Sequence, residues 1–266
     1  MARGCCRTRA RRRRRWKALR GAAVAKLPRV GEETTGERAA AAPGRLLGRG
    51  RDADVYDLGD GRVLRRYRVD YDHANEITAL RYLHAQGFPV PLLHEADGGR
   101  DMIFERADGP TMLADLLRHP WRARSHARLL ADLHRRLHAL AAPPGLPGPA
   151  PDPGRGVILH LDLHPANVLL SPTGPVVIDW SNAAAGPAGS DLAHTLVVMA
   201  VSEVPDLPWP LRPFVALLRR RFLRAFLAAA HADPAPFLAG ACRRRLSDPN
   251  LLPSEARRIN AMLARS

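Results

Sequence analysis

Between Arg45 and Glu105 the apolar residues come in short alternating runs cut by glycine, and beyond Pro110 they recur at helical spacing. That switch of period constrains the fold more than any other feature. A chain patterned this way folds its first part as a sheet and its second as packed helices, so the class is α+β. The runs Leu46 to Gly50, Ala53 to Leu58 and Arg62 to Tyr67 read as three antiparallel strands, the second hairpin turning on Gly59-Asp60-Gly61. A helix is predicted from about His73 to Gln86, with Glu76, Leu80 and Leu83 on one face and Gly87 as its stop. Two further strand-like runs, near Leu92 and at Met102 to Glu105, lead into the connector Ala107-Asp108-Gly109-Pro110. The expected boundary lies there, dividing residues 41–106 from 107–266.

In the second part Leu130, Leu133, Leu137 and Leu140 form one helical stripe, ending before a proline-rich stretch at 143–153. Asn167 to Leu170 and Val176 to Asp179 read as a small hairpin around Gly174-Pro175. More helices follow, one from Ser190 to Val201 and one carrying Val215, Leu218, Phe222 and Phe226.

The chain is 266 residues long with 46% hydrophobic residues, enough for a substantial core. Its net charge of +15 has the size of a nucleic-acid signature, but the distribution argues otherwise. Twelve of the 41 basic residues and none of the 26 acids fall in residues 1–30. Residues 1–40 therefore read as a disordered basic arm, open to weak contact with polyanions, and no specific nucleic-acid partner is expected. The body is lysine-free, since Lys17 and Lys26 both lie in the arm, so any active-site cation there is arginine or histidine. Cys5, Cys6 and Cys242 are too few and too poorly spaced for a disulfide framework or a four-ligand zinc site, and a cytoplasmic location is expected. No apolar run approaches membrane-spanning length.

The chemistry concentrates in His160-Leu161-Asp162-Leu163-His164-Pro165-Ala166-Asn167, with Asp179 following the run Val176-Val177-Ile178. Phosphoryl transfer needs one carboxylate to orient and deprotonate the attacking hydroxyl, and hard oxygen donors to hold magnesium against nucleotide phosphates. Asp162 suits the first task, Asn167 and Asp179 the second. In the first part Gly48-Arg49-Gly50-Arg51-Asp52-Ala53-Asp54-Val55 is a glycine turn between strands that lets backbone amides approach phosphates. Strand alternation places Val63, Arg65 and Tyr67 on one face, so Arg65, rather than Arg66, is expected to reach the phosphates and Glu76.

These motifs resemble the aminoglycoside phosphotransferase and choline kinase-like family, whose pattern reads H-x-D-x-x-x-x-N and then I-D-W/F. The resemblance spans roughly residues 44–195. It implies a two-lobed, protein-kinase-like fold with a small antiparallel β-sheet lobe and a mainly helical lobe. It also implies ATP and Mg2+ as cofactors, a hydroxyl of a small molecule as acceptor, Asp162 as base, and Asn167 and Asp179 as metal ligands. Gly48, Gly50, Arg65, Glu76 and Glu105, which ends the last strand before the connector, are the expected nucleotide-binding residues. Asp191 matches a family aspartate that steadies the catalytic loop, although its position also suits a helix cap. The family's usual lysine on the third strand is here Arg65. His134 and His138 are expected to be packing residues.

Two alternatives compete. His160, Asp162 and His164 could form a metal cluster of a hydrolase, an account that leaves Asn167, Asp179 and Glu76 without roles. A catalytically impaired kinase-like scaffold is favoured only by Arg65 and by the acids in the glycine loop. For the acceptor, the eleven arginines against five acids in residues 201–266 disfavour polycationic aminoglycosides and favour neutral or anionic hydroxyl compounds.

Overall fold

The structure is a computed structural model that describes residues 44–50, 52–70, 72–97, 99–148, 156–202, 208–248 and 251–264. The basic arm, Arg51 of the glycine turn and residues 149–153 of the proline-rich stretch lie outside the described residues. Strands β1 (Arg45–Arg49), β2 (Ala53–Asp57), β3 (Arg62–Tyr67), β4 (Leu93–Ala96) and β5 (Asp101–Glu105) form one antiparallel sheet in the order β1-β2-β3-β5-β4. Arg65 lies on the central strand, opposite Val55 of β2 and Met102 of β5. Helix α1 (Ala74–Ala85) buries Glu76, Ala79, Leu80 and Leu83. Its end is set by Gly87, whose φ of +69° is left-handed. Gly87 N–H donates to His84 O at 3.0 Å and Phe88 N–H to Leu83 O at 2.9 Å, the paired bonds of a Schellman stop.

The chain then crosses the connector, where Gly109 has φ +143° and a Cβ would stand 2.2 Å from Leu170 O. Helix α2 (Met112–Arg118) is capped by Thr111, whose Oγ1 accepts from Ala114 N–H at 3.1 Å. Helix α3 (Ala123–Leu137) turns Leu130, Leu133 and Leu137 fully inward against helix α5 (Arg212–Ala229). Each such leucine contributes roughly 1.5–3 kcal/mol by leaving water. The helix ends at Leu137, so Leu140 is not on its stripe. Its carbonyl instead accepts from Ile158 N–H at 3.2 Å, next to the short strand β6 (Val157–Leu159).

β6 pairs with β9 (Ala184–Gly186), and β7 (Val168–Ser171) pairs with β8 (Gly174–Val177) in a hairpin that puts Ser171 opposite Gly174. Both ends of this hairpin differ from the expectation. Asn167 belongs to a turn before β7, because His164 Nδ1 accepts Ala166 N–H at 3.2 Å and closes the backbone there. Asp179 lies two residues beyond β8, with a left-handed φ of +70°. Helices α4 (Ala188–Val201), α6 (Leu238–Leu246) and α7 (Pro253–Leu263) complete the helical part. One buried cluster runs from Tyr67 and Leu80 through Phe88 and Trp180 to Phe222 and Phe226. It joins sheet and helices and supports the floor of the cleft between them.

Candidate active site

The cleft between sheet and helices has a volume of about 1470 Å³ and is lined from above by Gly50, Arg65 and Glu105 and from below by Asp162, Asn167 and Asp179. Segments 57 or more residues apart in sequence thus meet at one surface.

The lower wall depends on Asp191, in the first turn of α4. Its side chain does not cap that helix. Fully buried, its carboxylate accepts Leu161 N–H at 2.6 Å and His160 N–H at 3.2 Å, and receives the Nε2–H of His138 at 2.9 Å. Burial opposes this charge, but the His138 bond and the surrounding imidazoles hold the Asp191 carboxyl far below the usual carboxylate range. The two backbone bonds secure Leu161 at φ +59°, a conformation that costs a side-chain-bearing residue about 1 kcal/mol or more. That turn presents Asp162 to the cleft. His138 was expected only to pack; its bond to Asp191 has no signature in spacing, because one residue follows the end of α3 and the other lies in the first turn of α4, 53 residues away.

Asn167 donates Nδ2–H to the backbone O of Asp162 at 2.9 Å, which leaves its Oδ1 as the free oxygen of the amide. His164 Nε2 stands 3.6 Å from Asp162 Oδ2. Burial of Asp162 works against ionisation, but His164, with the more distant charges of His160 and Arg245, outweighs it, and the carboxyl lies below its ordinary value. Asp162 is therefore ionised at neutral pH.

Opposite, Arg65 makes two ion pairs from one guanidinium. Nη1 donates to Glu76 Oε1 at 2.9 Å, and Nη2 donates to Asp179 Oδ1 at 3.0 Å. Tyr67 donates its hydroxyl to the other Glu76 oxygen at 2.9 Å, and its ring lies under the guanidinium at 4.7 Å. Burial would favour a neutral Arg65, but Asp179 and Glu76 drive its pKa up instead. Arg66, by contrast, is engaged with Asp101 at 2.6 Å on the other face of the sheet. Asp54 likewise turns away, to Arg68 at 3.0 Å. Gly50 N–H bonds Ala53 O at 2.7 Å, so tightly that a Cβ on Gly50 would stand 2.8 Å from that oxygen. A Cβ on Gly48 would meet nothing within 4 Å, so that glycine leaves an open approach.

The donor set suits a hard cation: Asn167 Oδ1 and the Asp179 oxygen not bound by Arg65 are both oxygens, beside the Asp162 carboxylate. The competing hydrolase cluster does not form. His160 Nε2 bonds Ile178 O at 3.1 Å and its Nδ1 accepts Asp162 N–H at 3.3 Å, so neither ring nitrogen is available. Among the described residues no group of three or more His, Cys, Asp or Glu is placed to hold a metal.

Residues 93–239 match the sequence profile of APH, the phosphotransferase enzyme family. The chain belongs to that family. It is thus a phosphotransferase with a kinase-like fold, as its motifs implied. Solved structures agree on the fold. A thermostable mutant of aminoglycoside phosphotransferase APH(4)-Ia in its apo form is similar with TM-score 0.55 and 17% identity, over 83% of this chain and 93% of that one. Aminoglycoside phosphotransferase APH(4)-Ia is similar with TM-score 0.54 and 18% identity, over 82% and 92%. A ternary complex of the thermostable mutant with AMP-PNP and hygromycin B gives TM-score 0.50 and 18% identity, over 82% and 92%. A comparison with curated proteins finds no match. Among the described residues no helix is long and apolar enough to cross a membrane.

Proposed function

We propose that this phosphotransferase moves the γ-phosphoryl group of ATP to a hydroxyl of a small molecule, with Asp162 as the base. The observation that carries this reading is the convergence of Asp162, Asn167, Asp179 and Arg65 on one cleft. The AMP-PNP and hygromycin B of the similar ternary complex support a nucleotide and a small-molecule acceptor as this enzyme's two ligands.

In this reading residues 41–106 bind the nucleotide and 107–266 supply base and acceptor surface. Gly48 and Gly50 admit the phosphates to backbone amides, Glu105 lies at the connector, and Arg65, held by Glu76, faces the phosphates. Asn167 and Asp179 would hold Mg2+, which when bound would screen the phosphate charge. The acceptor hydroxyl gives its proton to an Asp162 carboxylate oxygen as its own oxygen bonds to the γ-phosphorus. The bond from that phosphorus to the β-phosphate bridging oxygen breaks, and ADP leaves with the electron pair. Asp191 fixes the loop, so the base needs no rearrangement as the proton arrives. The intact set of Asp162, Asn167 and Asp179 favours an active enzyme over an impaired scaffold. Assay of ADP release against a panel of hydroxyl compounds tests the proposal: activity is expected with Mg2+ or Mn2+ and lost on chelation. Activity that survives full chelation, or follows Zn2+ alone, would sink it.

A further inference from the structure

The cleft continues beyond Asp162 into a wall built by α4, α5 and α6. Val198, Leu218 and Phe222 give it an apolar side, and His194, Arg244 and Arg245 give it a polar one. The charge of that polar side is not cancelled from within. Arg245 is engaged, with Nη1 donating to Asp248 at 2.8 Å and Nη2 lying 3.9 Å from Glu255, yet its Nε is buried without a hydrogen-bond partner. Arg244 is exposed, and its guanidinium reaches only the neutral Asn182 Oδ1, at 3.3 Å. Among the described residues no carboxylate lies within ion-pair distance of Arg244. Next to them His194 is nine-tenths buried, and burial together with the charge of Arg244 brings its pKa down to about 4. It stays neutral, and among the described residues Arg244 is a cation of this wall with no carboxylate paired to it.

A planar guanidinium at the acceptor end, with no carboxylate paired to it among the described residues, is suited to a bidentate oxyanion and repels a cationic ligand. We infer that the acceptor carries, besides its reacting hydroxyl, an anionic carboxylate or phosphate group, and that Arg244 binds that group beside Arg245. The inference rests on the reading of Asp162 as the base of the same cleft. It separates this enzyme's acceptor from polycations such as hygromycin B. Specificity then arises on both sides, by a charge-assisted pair with the correct acceptor and by like-charge repulsion of the wrong one.

The test is ADP release by the full chain with ATP and Mg2+, using acceptors matched except for charge: gluconate against glucose, and glycerate and glycerol 3-phosphate against glycerol. Hygromycin B forms the polycationic arm. Turnover is expected with anionic members, and comparison of carboxylate with phosphate members identifies which anion is read. Arg244→Ala is expected to raise the KM for that acceptor roughly 10-fold to 100-fold, the loss of a charge-assisted hydrogen bond, while the KM for ATP stays where it is. Arg243→Ala, an exposed neighbour outside the cleft, is expected to change neither. Turnover of only neutral or polycationic members, indifferent to Arg244→Ala, overturns the inference and leaves the phosphotransfer reading intact. A chain that binds AMP-PNP yet turns over no member of the panel brings down both.

Discussion

Arg65 donates to Asp179 at 3.0 Å across 114 residues of sequence, while the same guanidinium holds Glu76 at 2.9 Å. One side chain on the central strand therefore ties the sheet, helix α1 and the segment after β8 together. The pair also couples the expected phosphate-binding cation to the expected metal ligand, so that nucleotide and metal meet a preset arrangement rather than assembling one.

This arrangement makes stability and turnover separable. Arg65→Met leaves the carboxylate of Glu76, only 2% exposed, without its cation and is expected to cost about 3 kcal/mol. Adding Glu76→Gln removes the stranded charge and is expected to restore most of the melting temperature. Turnover is expected to recover in neither protein. Thermal denaturation beside an ATP-dependent assay checks both halves, and recovery of turnover in the double variant would remove Arg65 from the phosphate site.

Asp162→Asn keeps the shape of the loop and removes the proton acceptor. Turnover is expected to fall roughly 10²-fold to 10⁴-fold with nucleotide affinity retained. Near-normal turnover in this folded variant would show that the base lies elsewhere.

Because Asp162 titrates below its ordinary value, the acid limb of kcat/KM is expected to lie below the usual carboxylate range, with activity flat toward neutrality from that side. His164→Gln takes away the neighbouring ring while burial remains, so that limb is expected to move to higher pH. A pH profile unchanged by the substitution would separate His164 from the base.

Asp191→Asn weakens the hold on the backbone N–H groups of His160 and Leu161 and breaks the charge-assisted bond from His138. Hydrogen bonds to a charged group are worth roughly 1.5–3 kcal/mol, and a loss of this order is expected in denaturant unfolding, together with a drop in kcat larger than any change in the KM for ATP. An unaltered kcat would confine Asp191 to a folding role.

Stability is also expected to fall on mild acidification. His134 and His194 have folded pKa values of about 4 against an ordinary 6.5, so between those values the unfolded chain binds more protons. Unfolding free energy is therefore expected to decline as pH drops from about 6.5 toward 4. Asp191, depressed in the folded state, contributes stability that is present above the ordinary carboxylate value and lost only at lower pH, as its folded pKa is approached. Urea midpoints measured across that range check the order of the two losses; His134→Gln is expected to flatten the first.

The succession of strand runs, the helix stop at Gly87 and the candidate residues Asp162, Asn167, Asp179 and Arg65 were legible in the sequence. Each is a local matter: side-chain period, left-handed backbone at glycine, and chemistry at fixed spacing on one segment. The choice of Arg65 over Arg66 needed only the two-residue period of a strand. Tertiary structure alone decided the rest. The short strands β6 and β9 carry three residues each, too few for a pattern, and exist because each completes the other's hydrogen bonds. His138 became a support of the site, rather than a packing residue, only when α3 met α4. Arg244 became the cation of the acceptor wall only because α6 folds back on the cleft and its carboxylate neighbours pair elsewhere. Charge balance at a site is set by which groups end within a few ångströms of one another, and sequence distance carries no record of that.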